Sequence, residues 1–185
     1  MTKLSTPSRI MGLAMLMLFV GLAVSSCIAT PDYPDTPEIS FKSITQQRFK
    51  TDDGTFDSVK VTISFRDGDG DLGLSNDDTN PPYQQKNLDG TLNRFYNNYF
   101  FQAQVLRNGE YRDTILNKDQ PYDGRYPLLN NTGRAEPLKG DLTFSQRVFV
   151  GTFYYGSRIR YKVSIVDRAL HESNTIFTDP ILFVR

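Results

Sequence analysis

Polar and apolar residues alternate in several short runs of this chain, and those runs carry most of what it says about its fold. Val59, Val61, Ile63 and Phe65 alternate with Lys60, Thr62, Ser64 and Arg66, which sends one set to each face of a strand. Ile159, Tyr161, Val163 and Ile165 do the same against Arg160, Lys162 and Ser164. Between them Phe101, Ala103 and Val105 alternate with Gln102 and Gln104, and this run meets Asn108-Gly109 before residues 111–116. Asn-Gly flanked by strand residues is the strongest short-range signal for a hairpin. Further strands are predicted at 39–44, 142–150 and 176–184, the last interrupted by Pro180, whose missing amide hydrogen favours a sheet edge. No segment has a helical period. Many short strands separated by turn residues predict an all-β, antiparallel sandwich.

The N-terminal residues follow a different pattern. Lys3 and Arg9 stand there without an acid, and residues 10–24 are all apolar or glycine, the layout of an export signal. As a helix these residues would span only about 22 Å, short of the roughly 30 Å hydrocarbon core that a permanent span must cross. The stretch ends Leu22-Ala23-Val24-Ser25-Ser26-Cys27, which resembles the bacterial lipobox, an aliphatic residue and two small ones before a cysteine that is acylated and becomes the new N-terminus. The resemblance implies that residues 1–26 are removed, that Cys27 carries covalent lipid, and that the chain is a lipoprotein held to a bacterial membrane, the outer one. Several acyl chains together give stable anchoring where one would not. Cys27 is the only cysteine, so no disulfide can form within the chain. Residues 27–37 follow as a tether, with Pro31, Pro34 and Pro37 at every third position, and residues 38–185 form the domain.

Removing residues 1–26 takes away two of the 21 basic residues and none of the 21 acids, which leaves a slight negative excess. Nucleic acid is therefore not an expected partner, since that function normally shows a basic patch.

The most distinctive segment is Arg66-Asp67-Gly68-Asp69-Gly70-Asp71-Leu72-Gly73-Leu74-Ser75-Asn76-Asp77-Asp78, which continues directly from the strand ending at Phe65. Alternating Asp and Gly lets the backbone curl while carboxylates converge, and hard cations such as calcium take six to eight oxygens. Asp67, Asp69, Asp71 and Asp78 match positions 1, 3, 5 and 12 of an EF-hand loop, but Leu72 stands where that loop needs glycine, and strands replace its helices. The EF-hand fold is rejected and the cation kept. The opposing expectation is an ordinary solvated turn, for which Asp and Gly are equally suited.

Tyr161-Lys162-Val163-Ser164-Ile165-Val166-Asp167-Arg168, followed by a polar loop and Ser173-Asn174-Thr175, resembles the penultimate strand and last hairpin of immunoglobulin-like or fibronectin type III-like domains. The wider chain resembles uncharacterised bacterial lipoproteins that carry a DGDGDLGL loop on such a sandwich. In an immunoglobulin-like β-sandwich the loop after the second strand and the loop before the last lie at one end. Asp167, Glu172 and Asn174 are therefore expected to face Asp67, Asp69 and Asp71 and to share the ion.

Two long connections, 79–95 and 117–140, have the length of functional loops. Phe95, Tyr96, Tyr99, Phe100 and Phe101 are read either as core or as a platform for a sugar. His171, the only histidine, reads as an exposed loop residue, and no residue is assigned to catalysis. The expected function is a membrane-anchored, non-catalytic binding module for a protein or glycan, with calcium as a structural ion. A carbohydrate-binding accessory to a surface uptake system and a hydrolase using carboxylates are the alternatives.

Overall fold

The computed structural model describes residues 31–114, 122–130 and 132–184. The export signal and residues 27–30 of the tether, Cys27 among them, lie outside them, as does the end of the predicted strand at 111–116. No helix of the described residues is long and apolar enough to cross a membrane.

All strand pairings are antiparallel, and they build two sheets. The first contains β1 (Glu38–Thr51), β2 (Gly54–Asp67) and β5 (Leu138–Phe149) in the order β1-β2-β5. The second runs β4 (Glu110–Asp113), β3 (Tyr99–Arg107), β6 (Arg158–Ile165) and β7 (Ile176–Phe177), with β8 (Ile181–Leu182) also on β6. Strands one, two and five facing four, three, six and seven is the immunoglobulin-like arrangement the sequence predicts. The final run is split into the short β7 and β8 on either side of Pro180, at the edge of its sheet. Asn108 and Gly109 both take positive φ, 52° and 84°, as the tight turn between β3 and β4 requires. The only helical turn among the described residues is the 3₁₀ segment Arg94–Tyr96.

The alternating apolar rows meet between the sheets. Val59, Val61 and Ile63 of β2 are fully buried against Ile159, Tyr161, Val163 and Ile165 of β6, with Tyr99, Phe101, Ala103 and Val105 of β3 beside them. Phe101 stacks on Tyr161 with ring centres 4.2 Å apart, and Tyr99 stacks on Phe144 across the sheets. Burying each large side chain stabilises the fold by about 1.5–3 kcal/mol.

The inward face of β2 bears an acid at each end of its apolar row, Asp57 before Val59 and Asp67 after Phe65. Asp57 is paired: Nε and Nη2 of Arg48 each donate to it at 2.9 Å, and Gln46 adds a bond at 3.1 Å. Asp67 has no such cation, and its surroundings form the candidate site.

Candidate metal centre

The segment after Asp67 is fixed to the domain rather than looped into solvent. Leu72 and Leu74 turn into the core, at 0% and 4% exposure, which draws the preceding Asp-Gly repeat down with them. The backbone is tied on several sides. Gly68 donates to the carbonyl of Pro34 at 2.8 Å, Glu136 to that of Asp69 at 3.1 Å, Leu74 to that of Tyr126 at 3.1 Å, and Leu129 to that of Leu72 at 3.1 Å. The glycines are required by these contacts. A Cβ on Gly68 would lie 2.3 Å from the Tyr33 carbonyl oxygen, and one on Gly70, where φ is +70°, would lie 2.2 Å from that of Glu136.

The consequence is that three carboxylates are pressed together. One ligand oxygen from each of Asp67, Asp69 and Asp71 lies within 4.8 Å of the others. Oxygens bound to one calcium at 2.3–2.6 Å have separations of this size. Asp67 is fully buried, and neither of its carboxylate oxygens has a hydrogen-bond partner; the Gly70 amide approaches it without reaching bonding geometry. Asp71 accepts from the Ala169 amide through Oδ2 at 3.0 Å, while its Oδ1 is buried and unpartnered. Burial, and then the negative charge of Asp69, Asp71 and Asp167, raises Asp67 to about 7. Burial and the charge of Asp167 and Asp69 raise Asp71 to about 6. A buried carboxylate without donors is costly, and a bound cation is the kind of group that relieves it.

The second loop expected from the sequence lies against the cluster. Asp167 lies close enough to raise both Asp67 and Asp71, and Ala169, in the loop after β6, bonds Asp71 directly. Asp167 is itself held from its own loop, accepting the His171 amide at 2.7 Å on Oδ1 and facing its Nδ1 at 2.9 Å on Oδ2. His171 is thus a half-exposed support for a buried acid, a role its isolated position in the sequence does not signal.

The other three expected ligands are engaged elsewhere. Asp78 forms a two-pronged pair with Arg168 at 2.5 and 3.1 Å, which lowers its pKa, and also accepts from the Ser75 amide. Glu172 takes both guanidinium nitrogens of Arg94 at 2.7 and 2.8 Å and the Ser164 hydroxyl, and its pKa is likewise lowered by Arg94. Asn174 bonds both the amide and the carbonyl of Ile39, pinning the start of β1 to the β6–β7 connection. Of the seven, the structure brings Asp67, Asp69 and Asp71 together, with Asp167 alongside, and places Asp78, Glu172 and Asn174 in other contacts.

The aromatic platform is also resolved toward the core. Tyr99, Phe100 and Phe101 are buried, Arg94 covers Phe100 at 3.8 Å from its ring centre, and Arg125 covers Tyr96 at 4.7 Å.

The chain matches no protein-family model, no curated protein and no solved structure.

Proposed function

We propose that this protein is a membrane-anchored lipoprotein whose sandwich binds a calcium ion between Asp67, Asp69 and Asp71 and serves as a non-catalytic binding module. One observation carries the cation: Asp67 is fully buried with both oxygens unpartnered, at the centre of a carboxylate cluster. Asp57, equally buried on the same strand face, has Arg48 and Gln46. A divalent ion would be to Asp67 what Arg48 is to Asp57. Calcium suits an all-oxygen cluster without histidine or cysteine better than a softer metal does. The lipid anchor is supported by the lipobox-like residues before Cys27.

The test is thermal unfolding of the full chain in mild detergent, with calcium and with chelator. An ion that binds only the folded state stabilises it by about 2.7 kcal/mol at a hundredfold excess over Kd, worth roughly 5–10 °C here. The rise should vanish in Asp69→Asn, and identical melts with calcium and chelator would refute the ion. For the anchor, Cys27→Ser should abolish labelling by a radioactive fatty acid; labelling that persists would refute lipidation at that residue.

A further inference from the structure

The carboxylate cluster forms one side of a cavity of about 390 Å³, lined by Asp69, Asp71, Leu128, Arg134 and the Asp78–Arg168 pair. That volume lies within the range of small-molecule sites. Asp67, with no exposed surface, closes the cluster from below, while Asp69 and Asp71 belong both to the cluster and to the cavity wall. An ion held among the three would therefore open onto the cavity. Three carboxylates offer at most six oxygens, and Asp71 Oδ2 is already accepting the Ala169 amide. Calcium takes six to eight, so positions remain for oxygens from outside the chain.

The lining also has a group suited to such a ligand. Arg134 lines the cavity and forms no ion pair among the described residues, whereas Arg168 is committed to Asp78. A guanidinium matches a carboxylate in a flat, two-pronged arrangement. Charge limits the ligand further. With calcium bound, the three triad carboxylates, the ion and Arg134 carry no net charge and Asp78 and Arg168 cancel, so Asp167 leaves one negative charge beside the site. A ligand with a single negative charge meets less repulsion there than a phosphate dianion would. A larger groove of about 570 Å³ by Ile39 and Asn174 offers less, because its Arg66 is paired with Glu38 and its Asn174 with Ile39.

We infer that the cavity binds a hydroxy-carboxylate of the uronic-acid type, with ligand oxygens completing the shell of the calcium ion and the carboxylate gripped by Arg134. The inference rests on the cation reading above and adds the ligand class to it.

The experiment is calorimetric titration of the full chain in detergent with D-galacturonate, a short galacturonate oligomer and neutral D-galactose, in calcium and in chelator. Both acids are expected to bind in calcium, at least tenfold more weakly in chelator, and galactose at least tenfold more weakly than galacturonate. Arg134→Gln should weaken the acids at least tenfold while its calcium-dependent rise in melting temperature shows the ion site intact. Tighter binding of the oligomer would place the ligand in a polysaccharide, and equal binding would place it among free hydroxy acids; either upholds the site. Equal binding in chelator, equal binding of galactose, an unaffected Arg134→Gln, or no binding of either acid would overturn it. If calcium raises the melting temperature and no acid binds, the ligand alone is refuted; if calcium does nothing, the cation reading fails first.

Discussion

Asp57 and Asp67 stand on the same inward face of β2, at opposite ends of one apolar row, and only Asp57 has a cationic partner. The same strand thus contains a completed and an uncompleted version of one arrangement. Their responses to mutation should differ in sign.

Removing the partner of Asp57 should be costly. Arg48→Met leaves a carboxylate with 2% exposure supported by Gln46 alone, so the variant should be clearly less stable than the parent. Chemical denaturation should show the loss, and Asp57→Asn in the Arg48→Met background should recover part of it. A change below about 0.5 kcal/mol would mean that the pair contributes nothing.

Neutralising Asp67 should do the reverse when no ion is present. At pH 8 in chelator, Asp67→Asn removes a buried charge that faces three other acids, so its melting temperature should exceed that of the parent by several degrees. Calcium should no longer raise it. A variant less stable than the parent under those conditions would show that Asp67 is stabilised by something other than a cation.

The ion-free protein should lose stability as pH rises. Asp67 and Asp71 hold protons in the fold up to about 7 and about 6, whereas an unfolded chain releases them near 3.8. Between these values the folded state binds more protons than the unfolded one, so raising the pH favours unfolding, by an amount on the order of 2–4 kcal/mol in all. Melts in chelator should therefore be higher at pH 5 than at pH 8, and saturating calcium should reduce or reverse the slope. Stability that climbs from pH 5 to pH 8 in chelator would contradict the burial of these groups.

Asp78 offers a test of which acids belong to the site. Asp78→Asn weakens its pair with Arg168 and should cost about 1–2 kcal/mol, because the pair joins the end of the acidic segment to the loop after β6. The calcium response should persist with little change. Its disappearance would return Asp78 to the ligand set.

The sheets were legible in the sequence because period-two alternation is local: Val59 to Phe65 and Ile159 to Ile165 state their faces without reference to any partner. The strand ends were less so. β1 runs on to Thr51 and β5 begins at Leu138, through polar residues whose pairing with β2 carries no apolar signature. The cluster itself was legible at Asp67, Asp69 and Asp71, where spacing alone brings carboxylates together. The contacts of Asp78, Glu172 and Asn174 were not legible, because each is engaged by a group distant in sequence, Arg168, Arg94 and Ile39 respectively. The burial of Asp67 depends on Leu72 and Leu74 entering the core, and Arg134 reaches the cavity only because Tyr126, Leu129 and Glu136 are bonded to the acidic segment. Neither is a property of a motif.

The bond from Gly68 to Pro34 has a consequence for where any ion would be met. The chain reaches the domain beside the acidic segment, and Cys27 precedes Tyr33 by six residues, a leash of at most about 20 Å when fully extended. With lipid on Cys27, the carboxylate cluster would work close to the membrane surface rather than in bulk solution.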